Sequence, residues 1–151
     1  MKALILYDSV YGNTEQIARA IAEAVTPPDE AKVLRAAEAN PSEMASIDLL
    51  VVGSPTHGGR PTPAIQDLLK KVTQPSLKGI NVAVFDTRSQ GKLARVFGNA
   101  AGRIAGQLTK KGGVLVASPE GFLVAGTKGP LKEGESERAA AWAKGIIAGK
   151  K

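Results

Sequence analysis

The feature that most constrains this chain is a repeated alternation. Five short apolar runs are each followed by a stretch with helical spacing. Ala3–Tyr7 is continuously apolar and stops at Asp8-Ser9, which is how a strand buried on both faces reads. Helical spacing follows over Asn13–Val25, with Ile17, Ala18, Ile21, Ala22 and Val25 on one face and Thr26-Pro27-Pro28 as the stop. Ala31–Ala36 is a second strand, poorer in apolar residues and so expected at a sheet edge. Asn40-Pro41-Ser42 suits a cap and a first-turn proline for a short helical piece. Leu49–Gly53 is the third strand, and Thr62 or Pro63 opens a helix that runs through Val72. Ile80–Phe85 is the fourth strand, and Lys92–Lys111 reads as a long helix. Val114–Ala117 is the fifth, resuming at Phe122–Val124, and Glu135–Ile147 is the last helix. A βα unit repeated five times cannot form a meander. It predicts an α/β fold: a doubly wound five-stranded parallel sheet of order 2-1-3-4-5 between two helix layers, with right-handed crossovers. At 151 residues one domain, 1–151, is expected.

Composition excludes several chemistries. The chain has no cysteine and one histidine. Disulfides, thiolate metal sites, cysteine nucleophiles and multi-histidine metal cages are all ruled out, and no metal site is expected. No apolar run approaches the roughly 20 residues of a membrane span. Met1-Lys2 leads straight into the first strand, so a soluble cytoplasmic protein is expected. The net charge of +6 is unevenly distributed. Residues 1–75 carry 7 Lys/Arg against 9 Asp/Glu, and residues 76–151 carry 13 against 5. Aromatic residues make up only 4% and the cations are dispersed, so the basic half points to an acidic partner rather than to dedicated nucleic-acid binding.

In a doubly wound sheet, ligands bind beyond the carboxyl ends of the strands, at the switch point. The loops after strands one, three and four therefore matter most. The first is Asp8-Ser9-Val10-Tyr11-Gly12-Asn13-Thr14, directly before a helix N-terminus, where free N–H groups and the helix dipole favour an anion. Ser9, Asn13 and Thr14 add neutral donors. No lysine follows the glycine in the pattern of a nucleoside-triphosphate loop, so a monophosphate suits the site better than a triphosphate. The plainer reading is that these side chains only cap the helix.

Tyr7, Ser9, Gly12, Thr14, Ala18 and Ile21 stand at the spacing of the phosphate-loop signature of flavodoxins. Gly53-Ser54-Pro55-Thr56-His57-Gly58-Gly59 resembles the second flavin loop of that family. Gly129-Pro130-Leu131, Gly134-Glu135 and Glu137-Arg138-Ala139 are similar to short-chain bacterial flavodoxin-like proteins. The resemblance covers nearly the whole chain. It implies flavin mononucleotide (FMN) as cofactor and electron transfer between a reductase and a protein partner. By the same resemblance Ser9, Tyr11, Gly12, Asn13 and Thr14 hold the phosphate. Pro55, Thr56, His57, Gly58 and Gly59 line the isoalloxazine ring. Thr87, Arg88 and Ser89, with Gly91, meet its pyrimidine edge or the ribityl chain. His57 is either a loop histidine bonded to backbone or a donor at the ring edge.

The chain departs from the long-studied flavodoxins in being basic and in offering no aromatic residue in the second and third loops. Tyr11 and Phe122 remain as candidates for stacking. Each lost aromatic contact weakens binding by about 0.5–1.5 kcal/mol. Arg60, Arg88 and Lys92 place positive charge near the expected ring, which predicts a less negative potential than in acidic flavodoxins. Two other functions fit the same fold: an FMN-dependent reductase of a quinone or porphyrinogen, and a non-redox binding module. A phosphorylation receiver is disfavoured because strand three ends in Gly53-Ser54-Pro55 rather than in aspartate.

Two further expectations are open to structural inspection. Gly98, Gly102 and Gly106 fall on one ridge, read as close packing of helix on sheet or as a contact between subunits in a weak homodimer; a monomer is the other expectation. Trp142 is expected in the core.

Overall fold

The computed structural model describes residues 2–25, 30–44, 46–57, 59–73, 77–89, 99–126 and 128–149. Strand β1 (Ala3–Tyr7) is central and buried at all five positions, because helices cover both faces of the sheet. Helix α1 (Asn13–Ala24) buries Ile17, Ala18 and Ile21, as the spacing predicts, with Val25 just beyond it, while Ala24 is buried and Ala22 only half-buried. Strand β2 (Ala31–Arg35) pairs with β1 alone and forms one edge, in keeping with its mixed polarity. Two short 3₁₀ segments, Ala36–Glu38 and Pro41–Met44, lead to β3 (Leu49–Pro55). Helix α2 (Pro63–Lys71) starts with proline at N1 behind Thr62. Strand β4 (Asn81–Ser89) is followed by helix α3 (Ala100–Lys110), by strands β5 (Val114–Leu115) and β6 (Glu120–Val124), and by helix α4 (Glu135–Gly149).

All pairings are parallel, in the order β2-β1-β3-β4-β5, with β6 also on β4. The doubly wound order 2-1-3-4-5 is therefore observed. The fifth strand occupies the edge in two pieces. Between the partners of Leu115 and Glu120, which are Val82 and Phe85, β4 advances through Ala83 and Val84, while the edge uses Val116–Pro119. Val114 and Leu115 are exposed.

The core splits across the sheet. Leu4, Leu6, Leu50, Val52, Val82 and Val84 face α2 and α3, meeting Ile65, Leu68, Ile104 and Leu108. Ala3, Ile5, Val51, Ala83 and Phe85 face α1 and α4, meeting Ile17, Ile21, Ala139 and Ala143. The three-layer sandwich follows directly from this alternation. On the second face Phe85, Phe122 and Trp142 meet edge to face, with centroids 6.0–6.4 Å apart. Trp142 is half-buried and packs against this core cluster, a structural role as expected. Phe122 is fully buried in the same cluster and does not stack at the ligand loops.

The structure corrects two expectations. Strand β4 does not end at Phe85 but runs to Ser89, so Asp86, Thr87, Arg88 and Ser89 belong to a strand. Gly102 and Gly106 do not pack on the sheet. They are exposed, and a Cβ added at Gly106 would meet nothing within 4 Å. Ala101, Ile104, Ala105 and Leu108 form the buried stripe of α3, which puts both glycines on the outer side. The expected helix start at Lys92 and Gly98 lies outside the described residues.

Candidate functional site

The carboxyl ends of β1, β3 and β4 are bound to one another by backbone. Asp8 N–H donates to Gly53 O at 3.2 Å, and Thr56 N–H to Thr87 O at 2.9 Å. These bonds bring the three loops to one place. Ser9, Tyr11, Asn13, Thr14, Pro55, Thr56, His57, Thr87, Arg88 and Ser89 line a single pocket there. Val10, Val124 and Gly126 also line it. Val10 lies within the first loop but carried no assigned role, and the placement of the split edge strand beside β4 brings in Val124 and Gly126. Gly12 and Gly59 shape the loops without lining the pocket. Gly58, Gly91 and Lys92 lie outside the described residues. The pocket encloses about 80 Å³. That is room for a phosphate-sized group, so a bound nucleotide would hold its ring system at the rim.

Gly12 makes the turn into α1 at φ 91°, a left-handed conformation that glycine adopts without strain. Its own N–H donates to Ser9 Oγ at 3.0 Å. No side chain caps α1. Gln16 N–H reaches Gly12 O, and the N–H groups of Asn13, Thr14 and Glu15 have no acceptor among the described residues. These are the orphan donors that an oxyanion at a helix start would accept. The hydroxyls add to them. Thr14 Oγ1 and Thr87 Oγ1 share one hydrogen bond at 2.8 Å, which leaves one of the two hydroxyl protons for a ligand. Ser9 Oγ accepts from Gly12 and keeps its proton to give. The Asn13 side chain also has a structural part. Its Nδ2 donates to Lys128 O at 3.1 Å and its amide lies against Gly129, so it anchors the loop after β6.

Arg35, at the end of β2, was not singled out from the sequence. Its guanidinium donates to Ser9 O at 3.1 Å, lies 3.5 Å from Asp8 Oδ1 and 3.7 Å from Glu15 Oε1, and covers the Tyr7 ring. Two carboxylates beside an anion site would repel a phosphate, and Arg35 offsets both while holding the loop. The available signal was a lone cation at the end of a strand adjoining β1.

The second loop is a tight turn. His57 and Arg60 exchange two backbone hydrogen bonds, at 2.9 and 3.0 Å, around Gly59 at φ 78°. Ser54 Oγ accepts from Thr62 N–H and ties the turn to α2. His57 is held in this turn by its main chain, and its imidazole is exposed on the pocket wall. Val10 and Tyr11 are the exposed apolar side chains of the rim, at 54% and 47% exposure. With Phe122 in the core, Tyr11 is the one Phe, Tyr or Trp at the pocket among the described residues.

Strand alternation explains the third loop. Thr87 shares a face with Phe85 and meets α1, whereas Asp86 and Arg88 face α3. Arg88 forks onto Asp86 at 2.7 and 2.9 Å, and Asp86 Oδ2 also accepts Ala101 N–H at 3.0 Å. Asp86 is fully buried. The charge of Arg88, expected to act on the ring, is met locally by this carboxylate.

The family model for flavodoxin matches residues 5–142. No curated protein sequence matches the chain. Among solved structures, flavodoxin 2 from Bacillus cereus superimposes with a TM-score of 0.80 at 24% identity, covering 99% of this chain and all of that one. Flavodoxin 1 from the same organism gives 0.82 at 19% identity, with full coverage of both. A WrbA-like flavodoxin protein from Agrobacterium tumefaciens gives 0.76 at 18% identity, covering 97% of this chain and 95% of that one. At these identities the superpositions speak for the fold, and the family model supplies the rest: this chain belongs to the flavodoxin family.

Proposed function

We propose that the chain binds FMN and acts as an electron carrier between a reductase and a protein partner. The observation that carries this reading is the uncapped start of α1, with three N–H groups that have no acceptor among the described residues, at the point where the three loops converge. FMN bound there supplies one- and two-electron redox chemistry. The donor set fits its phosphate. The Asn13, Thr14 and Glu15 N–H groups and the Ser9 and Thr14/Thr87 hydroxyls are neutral, and the helix dipole favours the charge. Arg35 holds the loop that presents them. Tyr11, Pro55, Thr56 and His57 offer surface for the ring. Its pyrimidine edge would meet Ser89 and the strand end beside Arg88, whose charge is already paired.

An FMN titration of flavin-stripped protein, followed by fluorescence quenching, tests this reading with riboflavin run in parallel. Saturable one-to-one binding of FMN, with riboflavin at least ten-fold weaker, supports it. No binding at high micromolar FMN overturns it.

A further inference from the structure

The chain after β6 folds back as a hairpin. Val124 bridges Leu131, Ala125 N–H donates to Pro130 O at 2.8 Å, and Lys132 N–H donates to Leu123 O at 2.9 Å. Gly129 N–H closes the turn on Gly126 O at 3.2 Å. This hairpin leans on the first loop. Val124 and Gly126 line the ligand pocket, and Lys128 O accepts the Asn13 side-chain amide at 3.1 Å. A Cβ at Gly129 would fall 2.6 Å from that amide, so a glycine is needed for the two segments to approach this closely. Asn13 is also the first residue of α1, and its backbone N–H is one of the three without an acceptor among the described residues. The main chain of Lys128 therefore stands one side chain away from the open helix start. Its own side chain is exposed and carries the ammonium over the Tyr11 ring, 6.0 Å from the centroid.

Charge decides what this placement can do. A phosphate monoester carries about −1.5 to −2 charges at neutral pH. The donors gathered at the start of α1 are neutral. Arg35 is engaged by Asp8 and Glu15, and Arg19 by Glu15. Lys128 meets the same loop through Tyr11 and has no carboxylate partner among the described residues. A contact with an exposed ring holds a cation only weakly, so the ammonium is free to move to a stronger anion. Lysine suits that move, because it is a point charge on a flexible four-carbon stem. We infer that Lys128, delivered by the hairpin, is the cationic partner of the ligand's phosphate and a specificity residue for phosphorylated over unphosphorylated flavin. The inference rests on the FMN reading and adds a charge to its neutral donors. Asn13 then has two duties: its backbone faces the anion, and its side chain holds the segment that carries the countercharge.

The test titrates flavin-stripped parent, Lys128→Gln and Lys128→Arg proteins with FMN and with riboflavin, at low and high salt, by fluorescence quenching. Lys128 is exposed, so both variants should keep the parent's unfolding midpoint. Lys128→Gln should bind FMN about ten-fold more weakly, the scale of one charge-assisted hydrogen bond, and riboflavin within about two-fold of the parent. Added salt should weaken FMN binding to the parent more than to Lys128→Gln. Lys128→Arg keeps the charge and should recover most of the affinity. The ³¹P resonance of bound FMN should move in Lys128→Gln. Equal weakening of FMN and riboflavin would overturn the inference, because the lysine would then act through the face of the Tyr11 ring. So would an FMN affinity of Lys128→Gln within about two-fold of the parent's, or the same salt dependence in both. Each of these results leaves the FMN reading standing. Failure of the parent itself to bind FMN defeats that reading and this inference with it.

Discussion

Two helices begin at the same end of the sheet, and their first turns are treated in opposite ways. At α3, Asn99 Oδ1 accepts Gly102 N–H at 2.8 Å, Thr56 Oγ1 accepts Ala100 N–H at 3.1 Å and Asp86 Oδ2 accepts Ala101 N–H at 3.0 Å. Three side chains from three segments satisfy one helix start. At α1 a glycine stands at the cap, and no side chain among the described residues reaches the next three amides. A closed helix start is a joint, and an open one is a receptor for an anion. The difference lies in which residues precede each helix, since the backbone offers the same donors in both places.

The comparison breaks most visibly at Asp86. Asp86→Ala removes the acceptor of Ala101 and leaves Arg88 without its partner, an arrangement whose loss costs about 3 kcal/mol or more. Urea unfolding measures it, and a cost under about 1 kcal/mol would show that the α3 joint is dispensable.

Helix α4 offers a third helix start, closed by charge. Glu135, its first residue, accepts Leu123 N–H and pairs with Arg138, which lies over the Phe122 ring and also reaches Glu120 and Gly121 O. The Arg138 guanidinium, with help from Leu123 N–H, holds the Glu135 carboxyl below the usual glutamate range. A depressed folded value means that this contribution is full above the ordinary glutamate pKa and is lost as pH falls through the folded one. Glu135→Gln should therefore cost about 2 kcal/mol at neutral pH and flatten the acid limb of stability. Chemical denaturation at pH 7 and at pH 3 reads both effects, and equal costs at the two would refute the assignment.

At α1 the expected cost is smaller and lies in the backbone. Gly12→Ala meets no atom within 4 Å, so only the left-handed conformation opposes it, at about 1–2 kcal/mol. Thermal unfolding measures this, and FMN affinity should fall with it. Asn99→Ala is the smallest, about 1 kcal/mol, the ordinary value of a lost cap. Unlike Gly12→Ala it should leave FMN affinity within two-fold, and a larger loss would erase the distinction between the two helix starts.

Much of this was legible in the sequence. Continuous apolar runs placed β1 and β3, and the stripe from Ile17 to Ile21 placed α1, because burial on both faces leaves little choice of residue. The convergence of the loops followed from βα alternation alone. Strand β4 was cut short at Phe85 because Asp86-Thr87-Arg88-Ser89 reads as polar loop. Asp86 is tolerated inside only because Arg88 and Ala101 N–H arrive from either side, and no local pattern announces a partner fifteen residues away. The glycines of α3 were misplaced for a simpler reason. A ridge of glycine suggests contact, but Ala101, Ile104, Ala105 and Leu108 already filled the inner face. Arg35 escaped notice because its partners lie across the β1–β2 pairing.

The divided edge strand carries a last consequence. Leu115 and Glu120 are held independently by β4, and the four residues between them span a stretch that β4 covers in two. Slack of this kind lets the chain be lengthened between Ser118 and Pro119, both exposed, without shifting either pairing. The fold thus has a built-in port where extra sequence, from a short tag to a small domain, can be grafted while the ligand loops keep their register.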